Sequence, residues 1–467
     1  MAEKQMVEAR IVIIGAGPAG MKAALSLVEA GHRPVVIDEA QRSGGQVYRR
    51  PSPAAERSPR ALYGFEAARA QRLHQGFDAI ADFIDYYPET LIWNAEGRTL
   101  DLLYNGQNQR IAWSHLILAT GAMDRIIPVS GWTLPGAYTL GAAQIALKAQ
   151  AVGIGQSVVF FGTGPLLYLV AYQYAKAGIT VKAVLDVSAF RQSVVALPQL
   201  LTGGRTFAKG LFFLAWLRAR RIPVLRGITP VEIVAGTDQA VAGITIRTAG
   251  GKLRHFDCSG VGFGYGLRSE TQIADLLELE FAFEHNHRQW LPVSDDNGRA
   301  STCGVYLAGD GAGILGADAA ELTGRRAALV LRFDLGETEL AAEIDTLSAR
   351  LNAMRPFRHA LDHVAFAFPE RLARNVPDDV IICRCEGLRA ANIRQMARDT
   401  EEIDLNRIKA FTRLGMGRCQ GRVCVAAATA VLAGAATDMS STGRYRCQAP
   451  VKPVPLRAFL GGCDEQV

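Results

Sequence analysis

Residues 11–20 read IVIIGAGPAG, and a helix-forming run separates them from the next apolar stretch, PVVIDEA (34–40). The uninterrupted apolar IVII suits a parallel strand buried on both faces. Gly15-Ala16-Gly17-Pro18-Ala19-Gly20 then meets G-x-G-x-x-G in the context it needs, after a strand and opening a helix. Gly15 serves the tight turn, Gly17 lets backbone N–H groups reach a pyrophosphate, and Gly20 lets helix and strand pack closely. The helix runs from Pro18 to about Ala30 and ends at Gly31. Its first turn, Pro18-Ala19-Gly20, presents unpaired N–H groups and the positive end of the dipole to a phosphate. Asp38, closing the next strand, is placed to accept from a ribose hydroxyl, with Glu39 as the neighbour that could do so instead. The expectation is a strand–loop–helix–strand unit that binds a dinucleotide.

The same unit returns at 157–186, SVVFFGTGPLLYLVAYQYAKAGITVKAVLD. Here Gly162 and Gly164 keep the first two glycines and Pro165 opens the helix, but Leu167 stands at the third position. A bulky residue there is expected to push helix from strand. Asp186 ends the following strand and would bond an unphosphorylated ribose; no arginine pair follows it, which argues against NADPH. NADH, another adenine nucleotide, or nothing remain as occupants. Further apolar strands end in Thr120-Gly121 (AWSHLILATG, 112–121) and in Gly309-Asp310 (GVYLAGD, 304–310). The fold class is therefore α/β, with two Rossmann-like domains, the second inserted in the first.

At 467 residues the chain has room for several domains, and 49% hydrophobic with 21% charged residues is an ordinary globular composition. A net charge of +6 with no long Lys/Arg run and no basic aromatic stripe excludes a nucleic-acid binder. GLFFLAWL (210–217) is too short to span a bilayer, and MAEKQMVEAR runs straight into a strand, unlike a signal peptide. A cytoplasmic location follows, where grouped cysteines read as metal or redox ligands before disulfides.

Four cysteines are so grouped: Cys383-Arg-Cys385, then Cys419-x4-Cys424 in MGRCQGRVC (416–424). Two close pairs of thiolates can hold tetrahedral zinc or a [2Fe–2S] cluster. The setting favours iron–sulfur. Arg384, Arg418 and Arg422 could offset an anionic cluster, and Gly415, Gly417 and Gly421 free N–H groups for the sulfurs. Cys424 opens an apolar helix whose positive end would face the site. Cys258 and Cys303 read as core residues, and Cys447 and Cys463 lie in the tail without a clear partner. His359 and His363, four apart on a helix, lack a third ligand and read as packing or cofactor-neighbouring groups; His285 and His287 read as turn residues.

GAGPAG, GGQVYR (44–49), LATG (118–121) and LAGDGAG (307–313) follow the order found in the two-dinucleotide-domain flavoprotein oxidoreductases, which this sequence resembles. The resemblance implies FAD at the first loop, Gly45 and Gln46 beside the flavin, Thr120 and Gly121 closing the FAD domain, and Asp310 on the ribityl chain. CRCEG and GMGRCQGRVC resemble the bacterioferritin-associated-ferredoxin-like [2Fe–2S] domain. Over essentially its whole length the chain is similar to the A (alpha) subunits of opine oxidases and of the related hydrogen cyanide synthases and proline or hydroxyproline dehydrogenases. In that group a flavoprotein B (beta) subunit oxidises an amino-acid-like amine at a C–N bond, and the alpha subunit passes electrons onward. Some members have a small third subunit, some hold FMN between subunits, and some hold ATP in the second site.

The implied layout is an FAD domain at 1–130 and 285–336, a second nucleotide domain at 131–284, a helical linker at 337–377, a small helical [2Fe–2S] domain at 378–436 and a Pro-rich tail at 437–467. No substrate constellation is evident in this chain, which suits an electron relay; the alternative is a self-contained NADH-dependent reductase. RLARN (371–375), the basic residues near the cysteines and the tail are candidate partner contacts, and contact with the inner membrane would come through the electron acceptor.

Overall fold

The computed structural model describes residues 10–52, 58–434 and 438–459. Its first sheet has a parallel core in the order Asp85–Tyr87, Val35–Ile37, Arg10–Ile14, the end of Gln107–Leu118, and Val305–Leu307. The first half of Gln107–Leu118 instead pairs antiparallel with Thr99–Tyr104, which pairs with Leu91–Glu96. Val305–Leu307 returns to this sheet from nearly 200 residues later in sequence, so the intervening domain is an insertion. The Pro18–Val28 and Ala317–Asp334 helices lie together on one face. Their contact is close enough that a Cβ on Gly324 would meet the Ala19 carbonyl oxygen at 2.0 Å. Only glycine permits that approach, and it brings the two helix starts to the same end of the sheet.

The inserted domain holds a second parallel sheet, Val224–Arg226, Thr180–Asp186, Ser157–Thr163, Gly260–Tyr265 and Ala137–Thr139. An antiparallel sheet of Thr229–Ala235, Val241–Arg247 and Leu253–Asp257 packs beside it. Two short strands, Ala122–Asp124 and Leu267–Ser269, pair antiparallel where the chain enters and leaves this domain.

Beyond the Ala341–His359 helix the chain makes a π-turn over Ala360–Ala365 and then a small domain. That domain comprises the Ile381–Cys383 and Leu388–Arg389 hairpin and the Ala390–Thr400, Leu405–Thr412 and Val425–Ala433 helices. Its apolar residues Ile382, Ile393, Ile408 and Ala428 share one continuous core with Val159, Phe161 and Phe263 of the inserted domain. Trp132 Nε1 donates to the Ile381 carbonyl at 2.7 Å across that junction. In RLARN, read as a partner contact, Arg371 and Asn375 are exposed while the middle of the segment packs inward. Ala373 is buried, and Arg374 donates to the Gly434 carbonyl and lies 3.5 Å from Glu370. Cys463 and residues 435–437 and 460–467 of the tail lie outside the described residues. No helix among the described residues is long and apolar enough to cross a membrane.

Candidate functional site: two glycine loops and a thiol cluster

The first glycine loop is held by contacts only glycine allows. Gly15 has φ +102°, and a Cβ there would lie 2.3 Å from the Ala119 oxygen; one on Gly20 would lie 1.7 Å from the Gly15 oxygen. Gly45, at φ +59°, packs its Cα against Gly17, and Gly44 N donates to the Ala16 oxygen at 2.8 Å. The Pro18–Val28 helix has no side-chain cap, so its first N–H groups face the loop uncapped. Asp38 accepts from Ala16 N at 2.5 Å and Ala40 N at 2.6 Å. Burial pushes its carboxyl up, against those two hydrogen bonds. Each carboxylate oxygen has a second lone pair, so a ribose hydroxyl can still be bonded. Glu39 pairs instead with Lys452 of the tail. Gln46 is exposed.

Asp310 lies at the same end of the sheet. Its Oδ1 accepts from Leu315 N at 3.0 Å and Gly316 N at 2.9 Å. Beside it, the His287 and His363 rings lie 5.1 Å apart, and His359 and His363 lie 5.3 Å apart. Burial pushes both His287 and His363 down to about 4, with Arg125 adding to the effect on each. His287 thus belongs with the two helical histidines, a grouping sequence spacing could not reveal. Burial pushes Asp362, in the π-turn, up to about 6.

The second loop differs. Gly162 and Gly164 keep left-handed backbone at φ +130° and +102°, and the Pro165–Lys176 helix starts uncapped. Leu167 is fully buried in the core between helix and sheet. Asp186 is also fully buried. Its oxygens accept from Tyr168 Oη at 2.5 Å, Ser188 N at 2.8 Å and Ser188 Oγ at 2.7 Å, with Arg226 Nε at 3.5 Å. The ribose role read from its place at the strand end therefore needs correcting: protein donors already hold this carboxylate, away from solvent. Tyr168 was the missed signal, an aromatic hydroxyl one turn into the helix.

At the far end the four thiols are neighbours that influence one another, Cys424 beside both Cys383 and Cys419, and Cys385 beside Cys419. Hydrogen bonding by Cys424 pulls Cys383 down to about 6 and Cys419 down to about 5, while Cys424 itself is pushed up. Among the described residues no three or more His, Cys, Asp or Glu are grouped as a site for a single ion. Backbone N–H groups of Gly415 and Glu386 reach Cys383, and those of Gly421 and Val423 reach Cys419. Gly417 packs against Cys385: a Cβ there would meet the Cys385 Cβ at 2.2 Å. Cys424 is the N-cap of Val425–Ala433. The arginine expectation shifts: Arg384 stacks over Trp132, Arg418 is exposed, and Arg422 pairs with Glu270 at 2.8 Å. Arg268, not singled out by the sequence, is a buried cation that feels the Glu270 carboxylate first, and then Cys424 and Cys419. Cys447 N donates to Asp275 at 2.6 Å, and its thiol donates to the Gln272 oxygen.

One short segment, 268–272, touches both ends. Thr120 Oγ1 donates to the Glu270 oxygen at 2.7 Å, Glu270 N to the Gly121 oxygen at 3.0 Å, and Ser269 Oγ to the Asp310 oxygen at 2.6 Å. From the same segment, the Glu270 carboxylate holds Arg422, Gln272 Nε2 donates to the Gln420 oxygen at 2.5 Å, and Arg268 reaches the Arg422 oxygen at 3.4 Å.

These features fit the two groups in question. The first loop offers uncapped N–H groups in a cradle any Cβ would fill, and the cysteines bring four sulfurs together among backbone donors. Residues 9–327 match the family described as "Pyridine nucleotide-disulphide oxidoreductase", and residues 381–434 match "BFD-like [2Fe-2S] binding domain". The chain is 37% identical to the A (alpha) subunit of the opine oxidase of Rhizobium meliloti, over 96% of this chain and 86% of that protein. It is 34% identical to the HcnB subunit of the hydrogen cyanide synthase of Pseudomonas aeruginosa, over 96% and 98%. Among solved structures, L-proline dehydrogenase from P. horikoshii matches with TM-score 0.72 at 18% identity, over 96% of this chain and 79% of that one, a likeness of fold. The chain belongs to the pyridine nucleotide-disulphide oxidoreductase family, among the members that are similar to the opine oxidase alpha subunit and HcnB and carry a C-terminal BFD-like domain. The family matches indicate FAD and a [2Fe–2S] cluster as its cofactors.

Proposed function

We propose that this chain is the FAD- and [2Fe–2S]-bearing electron-transfer subunit of a multi-subunit dehydrogenase or oxidase. Its substrate, an amino-acid-like primary or secondary amine of the opine, proline or hydroxyproline type, is oxidised at a C–N bond on a partner flavoprotein, the B (beta) subunit. What carries the reading is the 268–272 segment, whose hydrogen bonds run from Thr120, Gly121 and Asp310 at one end to Gln420 and Arg422 at the other. When bound, FAD handles electrons in pairs and the cluster handles them singly, so together they convert between the two modes. The chain's own part is to hold, space and tune. The Gly15–Gly20 loop and Asp38 bind the dinucleotide, Asp310 orients its chain, and Cys383, Cys385, Cys419 and Cys424 bind iron.

A self-contained NADH reductase is the weaker reading, because Asp186 is sequestered by Tyr168, Ser188 and Arg226. The uncapped helix at Gly162, Gly164 and Pro165 still suits a nucleotide phosphate, so ATP there, FMN between subunits and a small third subunit complete the proposal, with the complex on the cytoplasmic side of the membrane that holds its acceptor.

The test is anaerobic addition of NADH to the purified chain, with flavin and cluster absorbance followed. Unchanged absorbance with NADH, full reduction by dithionite, and amine-dependent reduction only once the partner flavoprotein is added are expected. Prompt bleaching by NADH would replace this reading with the reductase.

A further inference from the structure

Between the 268–272 segment, the cluster loop and the Phe281–Glu284/Gln289–Pro292 hairpin lies a cavity of about 80 Å³. One water needs only ~10–15 Å³, so the space holds more than a water. Its walls are unlike a packing defect. Arg268 stands on the strand leaving the inserted domain, Arg125 directly follows the strand entering it, and both line the cavity. Arg125 is only 7% exposed. It donates to the His287 carbonyl and stacks over Phe368, 5.2 Å from the ring centre. Neither guanidinium has a carboxylate within ion-pair distance among the described residues. The cavity's other arginines are matched: Arg288 by Glu370 at 2.5 Å, Arg422 by Glu270 at 2.8 Å, and Arg444 by Asp275 at 2.5 Å.

Two more polar atoms on this wall, Trp290 Nε1 and Gln272 Oε1, are buried without a hydrogen-bond partner among the described residues. A buried donor or acceptor left unpaired costs about 1–3 kcal/mol, and an unpaired buried charge costs more. Burial beside Arg268 and Arg288 pushes Arg125 down to about 9, which still leaves it a cation near neutrality. Arg268 feels the Glu270 carboxylate first and Cys424 and Cys419 after it, and it reaches the Arg422 oxygen at 3.4 Å, so its charge is partly offset. Arg125 and the Trp290 N–H remain, two donors facing one space.

We infer that this cavity is a binding site for an oxyanion, the phosphate of a phosphate ester or the carboxylate of a small acid, clamped by Arg125 and Arg268 and hydrogen-bonded by Trp290. Phe283, paired with Trp290 on the same hairpin, also lines the cavity and gives the ligand's apolar portion a surface. Guanidinium forks match both oxyanions bidentately, which is why one clamp suits either source.

The test uses the full chain with its flavin and iron contents verified. Its melting temperature is followed while inorganic phosphate, and separately acetate, replaces chloride at constant ionic strength. A saturable rise with one oxyanion is expected, with phosphate alone indicating a phosphate ester and acetate alone a carboxylate. In Arg125→Gln the apparent affinity should weaken at least about tenfold, the loss of roughly one charge-assisted bond. Trp290→Phe, which keeps the ring and removes the N–H, should weaken it a few-fold. A response no larger than that to chloride, or an Arg125→Gln affinity equal to the parent's, overturns the site. If Arg125→Gln does not fold, an unaltered Trp290→Phe affinity overturns it equally.

Discussion

Replacing Gly417 with alanine separates the two cofactor sites. The added Cβ would stand 2.2 Å from the Cys385 Cβ and 2.9 Å from Glu386 Oε1. Carbon atoms settle at ~3.5 Å or more, so Cys385 must move by about 1.3 Å. Metal ligands tolerate only about 0.2 Å from their proper distances, so the loop cannot keep both the methyl group and the ligand geometry. Overpacking of this kind costs about 1–3 kcal/mol. If all of it falls on the cluster, affinity drops roughly 5- to 140-fold. The assay is iron, acid-labile sulfide and FAD per chain. Gly210→Ala, whose Cβ would meet nothing within 4 Å, serves as the control. Iron and sulfide should fall together in Gly417→Ala while FAD stays at the control's level. A full iron complement with an unaltered visible spectrum would refute the placement of Cys385 as a ligand; loss of FAD alongside iron would refute the independence of the two sites.

Gly20→Ala should do the reverse, since its Cβ would sit 1.7 Å from the Gly15 oxygen: FAD is lost and iron retained, read by the same analysis. Glu270→Gln leaves Arg422 half-paired at a site where both side chains are 15% exposed, and should lower stability by about 1–3 kcal/mol in denaturant titration. It should also slow the passage of electrons from reduced flavin to cluster in a stopped-flow trace; an unchanged rate would strip the 268–272 segment of its role. His287 is held down from 6.5 to about 4, so its contribution is complete above pH 6.5 and lost as pH falls from 6.5 to 4. Acid unfolding of His287→Gln should therefore be shallower in that window by roughly 1–3 kcal/mol, measured as denaturation midpoints at stepped pH. Asp362, pushed up to about 6, works oppositely: its contribution is present below pH 3.8 and lost as pH rises to 6, so Asp362→Asn should flatten the curve in the other direction.

How far the sequence reveals this molecule depends on whether the reason is local. The glycine loops, the strands that end at them and the cysteine pairs were legible because a turn, a close backbone approach and a pair of thiols each leave their mark within a few residues. Arg268, Glu270 and Gln272 were not. No motif surrounds them, and their meaning comes from Thr120, Asp310 and Gln420, brought to them by an insertion that spans more than 100 residues. His287 read as a turn residue for the same reason: its neighbours His359 and His363 lie about 70 residues on.

Asp186 is the most instructive case, because position and type both pointed to a ribose and geometry points elsewhere. An acid at that strand end is free to bind a hydroxyl only if the adjoining helix leaves it exposed. In the first domain Gly20 lets the helix lie flat on its loop, and Asp38 has only backbone N–H partners to share. In the second, Leu167 fills the core where glycine would stand, and the next residue, Tyr168, delivers its hydroxyl to Asp186. With Arg226 and Ser188 closing the other side, the carboxylate is consumed as a structural anchor. Tyr168→Phe would remove a hydrogen bond to a charged group, costing about 1.5–3 kcal/mol in stability, and would still leave Ser188 and Arg226 on the carboxylate. NADH should therefore remain without effect on the flavin of that variant. Reduction by NADH after the single substitution would mean that one hydroxyl, and not the whole network, keeps a hydride donor out.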